Sequence, residues 1–275
     1  AAADFAVATN QVTATSNVVV ISGTAPLAMA NLLVNGVLWE VEWSSVSNWS
    51  IRLPVAATNT AVSLVGADVS GCALSNFSAR VQVNYAGPVV LPANQVMFSE
   101  IMFRPAATNA EYIELYNAAT NYTFDLTGWQ VDGLDYTFPG GARIEPQGYL
   151  ILAQDPYYFA LAYGTNVPVF DRYAGNLKTA GEVLTLVRPG LSGGGNEVVD
   201  RVRYEASAPW AAGPGEALQL VDPRGDNARA MNWSGGSGWR FFSSTHTNPV
   251  AFLAYSNVEL RVNFPGEMYL DDLRV

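Results

Sequence analysis

Apolar and polar positions change places at every second residue through most of the chain, the period of a strand with one buried face. Residues 31–34 (NLLV) read as one such strand, and Asn35-Gly36 follows as a tight hairpin, because both residues tolerate positive φ. After the turn, Val37, Trp39, Val41 and Trp43 share one face while Leu38, Glu40 and Glu42 share the other. That predicts a single half-buried strand over 37–43. Residues 17–21, 48–53, 61–66 and 77–85 have similar spacing. Short strands this dense predict a small β-sandwich over residues 1–88. Residues 86–95 (AGPVVLPANQ) carry two prolines and little alternation, and read as a link.

A second series begins at 96–103. It continues through 112–116, 125–131, 136–138, 149–152, 182–187, 198–204 and 217–221. Gly140-Gly141, Pro146-Gln147-Gly148, Pro189-Gly190 and the 193–195 glycines separate these runs as turns and loops. One segment breaks the pattern. Asp155 is a helix N-cap, Pro156 suits the first turn and Gly164 a C-terminal stop, which predicts one or two helical turns over 157–163. Residues 235–275 contain three more strand-like runs. About forty residues without a disulfide or metal cluster seldom fold alone, so this piece is expected to dock on a neighbour or to belong to another domain.

Composition narrows the function. The chain has 275 residues, 14 Lys+Arg against 24 Asp+Glu, and a net charge of −10. Lys178 is the sole lysine, and no basic cluster offers a footprint for nucleic acid or anionic membrane. No apolar run reaches the roughly 18 residues of a transmembrane segment. Residues 1–5 lack the basic start and apolar stretch of a signal peptide, so a signal is expected to be absent from this stretch. With one histidine, His246, and one cysteine, Cys72, any triad, histidine base or His-based zinc site would have to use that single imidazole.

The middle of the chain resembles the lamin tail domain, an immunoglobulin-like β-sandwich. The matching pieces run in order: Ser99-Glu100-Ile101-Met102, Glu111-Tyr112-Ile113-Glu114-Leu115-Tyr116-Asn117 and Asp125-Leu126-Thr127-Gly128-Trp129. Phe138-Pro139-Gly140-Gly141, Gly181-Glu182-Val183-Leu184, Val198-Val199-Asp200-Arg201, Gly215-Glu216-Ala217-Leu218 and Asn232-Trp233-Ser234 follow. Residues 1–88 resemble a bacterial immunoglobulin-like spacer through Ile21-Ser22-Gly23-Thr24 and Val34-Asn35-Gly36. Gly266-Glu267-Met268-Tyr269-Leu270-Asp271-Asp272-Leu273 is similar to the closing strand of a galactose-binding jelly roll. The expected fold class is all-β, with two immunoglobulin-like β-sandwich domains in tandem (1–88 and 96–234) plus a short C-terminal β segment (235–275).

Candidate chemistry is sparse. Glu111 and Glu114, with Glu100 the most tempting acids, are three apart and face opposite sides of a strand, so they make no natural catalytic pair unless a bulge intervenes; the resemblance implies that glutamates of this stretch orient turns by accepting backbone hydrogen bonds. Glu267, Asp271 and Asp272 are the metal candidates, since calcium takes carboxylate oxygens and similar jelly rolls carry it. Asp68-Val69-Ser70-Gly71 and Asp222-Pro223-Arg224-Gly225-Asp226 read as turns, the second with an Arg-Gly-Asp tripeptide. The 193–195 glycines lack the lysine of a phosphate loop, and His246 reads as a surface loop residue. Trp39, Trp43 and Trp129 are expected in cores, whereas Trp210, Tyr157 and Tyr158 are candidate ligand-binding aromatics.

The resemblance implies a non-catalytic structural, adhesion or spacer region of a larger exported bacterial protein, extracellular or at the cell surface. Its partners would be cell-surface or matrix proteins, polysaccharide, or other domains of the same polypeptide. A carbohydrate-binding module, with or without calcium, is the alternative. An enzyme built on two carboxylates ~5–9.5 Å apart is the third reading.

Overall fold

A computed structural model describes residues 3–190, 195–210 and 212–236. The first sandwich runs through β1 (Ala6–Val7), β2 (Gln11–Ala14), β3 (Val18–Thr24), β4 (Asn31–Val34), β5 (Val37–Trp39), β6 (Glu42–Trp43), β7 (Asn48–Pro54), β8 (Asn59–Ala67) and β9 (Ala73–Tyr85). These form a four-stranded sheet, β1-β3-β7-β6, and a five-stranded one, β2-β9-β8-β4-β5. Ile21, Leu32, Trp39, Trp49, Leu64 and Val81 are among the residues filling the space between them. Asn35 and Gly36 adopt φ of 50° and 86°, the hairpin conformation expected of them.

The strand predicted over 37–43 is in fact two. β5 pairs with β4 in one sheet, and β6 pairs with β7 in the other. The chain changes sheets at Glu40 and Val41, so alternation does not carry across the corner. Trp39 is buried, but Trp43 is 38% exposed and donates its indole N–H to the Ala30 carbonyl at 3.3 Å. The core role expected of Trp43 is therefore wrong.

The second sandwich contains β10 (Val96–Met102), β11 (Tyr112–Asn117), β12 (Phe124–Asp125), β13 (Gln130–Asp132), β14 (Tyr136–Thr137), β15 (Arg143–Ile144) and β16 (Tyr149–Ala153). Helix α1 (Pro156–Tyr163) and β17 (Val169–Arg172) follow, then β18 (Gly181–Arg188), β19 (Glu197–Glu205), β20 (Ala217–Leu220) and β21 (Trp233–Gly236). A six-stranded sheet, β17-β16-β11-β10-β20-β21, faces a four-stranded one, β14-β13-β18-β19. Phe98, Ile101, Phe103, Trp129, Leu184 and Tyr204 belong to the core between them.

Two local differences from the sequence reading have clear causes. The run predicted at 125–131 splits into β12 and β13, because Leu126 to Trp129 close a turn in which Trp129 N–H bonds to the Leu126 carbonyl at 2.9 Å. Strand β17 was not expected, since VFDR is short and lacks flanking alternation. It joins the sheet parallel to β16 after α1 reverses the chain. That helix is the one predicted: Asp155 caps the N–H groups of Tyr157 and Tyr158, and Phe159 is its buried residue.

Candidate functional site

Strand β10 contains the feature that organises the outer face of the six-stranded sheet. Phe98 and Ile101 both enter the core, although three residues apart they should face opposite ways. A bulge between Phe98 and Glu100 absorbs the extra residue, so that Phe98 pairs with Leu115 while Glu100 pairs with Glu114. The two glutamates therefore become cross-strand partners. The bulge raised for Glu111 and Glu114 lies in the neighbouring strand, and it brings Glu114 to Glu100 instead.

Glu100 is buried, with 3% of its surface exposed. It accepts hydrogen bonds from the Tyr112 hydroxyl at 2.5 Å and the Gln219 amide at 3.3 Å. Glu114 accepts one from the Ser99 hydroxyl at 2.8 Å. Among the described residues no ion pair reaches either carboxylate. Burial raises both pKa values, and for Glu114 the Glu100 charge adds to burial, which pushes it up to about 7. Tyr112 is raised as well, by burial and then by Glu100. Glu114 therefore keeps its proton to a higher pH than a solvated carboxyl would. Glu111 behaves as expected of a turn-orienting acceptor, taking the Leu177 N–H at 2.9 Å. Glu100 and Glu114 differ from that expectation, since their partners are side chains.

The second arrangement is the joint between the sandwiches. Asn17, 4% exposed, donates its amide to the Thr123 carbonyl at 2.7 Å and accepts the Thr123 N–H at 3.1 Å. Its side chain thus serves as a strand partner for the second sandwich. Trp39 forms a bridge with Gly140, and a Cβ on Gly140 would lie 2.1 Å from the Leu38 carbonyl oxygen and 2.7 Å from the Trp39 ring. Arg52 reaches Glu145 at 3.3 Å, and Glu145 accepts from Thr123 Oγ1 at 2.8 Å. The link is also tied down. Ala86 N–H bonds to the Ala14 carbonyl, and Tyr85 donates its hydroxyl to the Pro88 carbonyl at 2.6 Å.

The predicted aromatic candidates separate. Tyr157 and Tyr158 start α1 at 67% and 38% exposure, their rings perpendicular and 5.4 Å apart. Trp210 is half-buried, packs against the second core and lies 6.3 Å from the Trp233 ring. Trp129 is buried. Asp68 accepts the N–H groups of Ser70 and Cys72, as a turn residue does. In the Arg-Gly-Asp tripeptide, Arg224 pairs with Asp222 and Asp226 with Arg229, which fits the turn reading. Glu267, Asp271, Asp272 and His246 lie outside the described residues, as do most of the 193–195 glycines. Among the described residues no group of three or more His, Cys, Asp and Glu side chains could hold a metal ion, and no helix is long and apolar enough to cross a membrane.

Reasoning from sequence missed the Glu100–Glu114 pair and the Asn17–Thr123 joint. The first had a signal, the three-residue spacing of Phe98 and Ile101 within an apolar run. The second had none, because its partners are 106 positions apart.

No curated protein matches the chain in sequence. Among solved structures, the mixed-linkage glucan utilization locus protein SGBP-B of Bacteroides ovatus, in complex with a mixed-linkage heptasaccharide, matches at 12% identity and a TM-score of 0.20. The match covers 72% of this chain and 40% of that one, and a likeness of this size carries no argument about ligand. The family model of the lamin tail domain matches residues 91–234, which take in both faces of the second sandwich, the Glu100–Glu114 pair and the Thr123 side of the joint. The chain belongs to the lamin tail domain family.

Proposed function

We propose that this chain is a non-catalytic spacer and adhesion region of a larger exported bacterial protein, in which two sandwiches act as one stiff unit. The observation that carries this reading is the joint. A flexible tether would leave the link solvated and the polar groups on either side without partners across it. Here Asn17 is buried and doubly hydrogen-bonded, and Trp39 lies against a glycine where any Cβ would collide. Ordering such a contact costs conformational entropy, and what it provides is a fixed relation between the two sandwiches. The loops at the far ends remain free to vary for attachment.

The test is rotational diffusion of the full chain by NMR relaxation. One common tumbling time is expected for both sandwiches. Asn17→Ala combined with Gly140→Ala should separate the two. Independent tumbling in the unmodified chain would overturn the reading.

A second reading, a carbohydrate-binding module, draws on the exposed Tyr157–Tyr158 pair, because exposed rings stack on sugar faces. Binding to insoluble polysaccharide, measured with calcium and again with chelator, separates it from the first. Loss of saturable binding in Tyr157→Ala, Tyr158→Ala or Trp210→Ala would favour the module. Chelator sensitivity would direct attention to Glu267, Asp271 and Asp272.

A further inference from the structure

We propose that helix α1 is a pH-released lid: it lies closed on the six-stranded sheet while Glu114 carries a proton, and it lifts when Glu100 and Glu114 are both charged. The device goes beyond the spacer reading and does not depend on it.

Contacts place the two carboxyl groups at the floor of the helix. Glu100 pairs with Glu114 across β10 and β11, and Glu114 pairs with Ile151 of β16. Ile151, Met102, Tyr112, Ala153 and Ala217 form a small apolar cluster with Phe159 of α1, apart from the core between the two sheets. Tyr112 connects the helix to the acids. Its ring lies edge-on to Phe159 at 5.2 Å and to Tyr163 at 5.1 Å, and its hydroxyl donates to Glu100 at 2.5 Å.

The groups that face the pair bring no positive charge. Ser99 comes from β10, Tyr112 from β11 and the Gln219 amide from β20. Tyr163 comes from α1, close enough for the Glu100 charge to act on its hydroxyl. Tyr116, on the same face of β11 as Glu114, stacks on Tyr149 of β16. Among the described residues no basic side chain pairs with either carboxylate. Two buried carboxylates side by side without a cation cannot both ionise cheaply, so either a proton stays or water is admitted. Burial first, then Glu100, raises the Tyr112 and Tyr163 phenols, which leaves the glutamates as the groups that titrate.

Helix α1 is the element that yields. It has eight residues, of which Phe159 is the buried one, and so short a helix is marginal by itself. Its other fastenings are the Asp155 cap and the Tyr163 hydroxyl on the Ala110 carbonyl at 3.2 Å. Strands β10 and β11 also send Phe98, Ile101, Ile113 and Leu115 into the main core, so they stay when the helix leaves. A local opening of this kind costs less than global unfolding. The closed form keeps the Glu114 proton up to about 7, against 4.5 for a solvated carboxyl. Between these values it binds more protons than the open form, so it loses its advantage as pH rises through them. Opening lets water reach both acids and bares the apolar strip of Met102, Tyr112 and Ile151.

The experiment is amide hydrogen exchange of the full, isotope-labelled chain by NMR, read as protection factors, from about pH 5.5 to about pH 8.5, with and without low urea. The Phe159 and Gly164 amides, which bond to the Asp155 and Ala160 carbonyls, report on α1. Their protection should fall about tenfold or more across this range. At the alkaline end their exchange should respond weakly to urea, as little surface is exposed, whereas Leu184 and Leu186 of β18 should respond steeply. Glu114→Gln should hold α1 protection about tenfold or more above that of the unmodified chain at the alkaline end and match it at the acid end. Three results would overturn the proposal: α1 protection that does not change with pH, α1 amides that follow β18 in both protection and urea dependence, or a loss that persists undiminished in Glu114→Gln. The first two are read on the unmodified chain and stand whatever the variant does.

Discussion

Replacing Glu114 by glutamine should make the protein more stable at alkaline pH, although a hydrogen-bonded carboxylate is lost. In the folded chain Glu114 sits opposite Glu100, and burial together with that charge pushes its pKa from 4.5 up to about 7. The unfolded chain releases the Glu114 proton near 4.5, and the folded chain keeps it until about 7. Between these values the folded state binds more protons, so stability must fall as pH rises through the window and level off above it. One pKa unit corresponds to about 1.4 kcal/mol, so the full shift corresponds to about 3 kcal/mol. Glutamine has nearly the same shape, still offers an oxygen to Ser99 and carries no charge. Its advantage over glutamate should therefore approach about 3 kcal/mol above neutrality and vanish toward pH 4. Glu100 is raised in the same sense and remains in the variant, so some slope will persist. The assay is urea unfolding followed by tryptophan fluorescence across this range in both proteins. Equal pH slopes for the two proteins, or a variant less stable at every pH, would refute the argument that Glu114 is held protonated toward neutrality.

Three further outcomes test the same framework. Tyr112→Phe removes the 2.5 Å donor to buried Glu100 and should cost about 1–3 kcal/mol at neutral pH, read as a lower urea midpoint. Asp155→Ala leaves the Tyr157 and Tyr158 N–H groups uncapped and should cost about 1 kcal/mol, seen as faster hydrogen exchange within α1. Trp129→Ala empties a buried position in the second core and should cost about 3–5 kcal/mol, lowering the thermal midpoint.

What the sequence discloses depends on how far apart the interacting residues lie. Asn31–Val34, the Asn35-Gly36 turn and the Asp155-Pro156 start of α1 were legible because each is decided within a few neighbours. The ordered pieces of the second sandwich were legible as a family pattern, which places strands without saying how their outer faces are occupied. The 37–43 run misled because alternation records which side a residue faces and not which sheet it has joined. A corner at Glu40 and Val41 exchanges the sheet, and Trp43 emerges at the surface. The Glu100–Glu114 pair required a bulge to be inferred from Phe98 and Ile101, and no rule of period two contains one. Asn17 and Thr123, and likewise Asp200 and Asn227, are polar residues whose roles exist only once distant strands have met. Buried polar groups must be satisfied somewhere. Their partners are chosen by topology, so the residues that make the joint are the ones a reading by periodicity passes over.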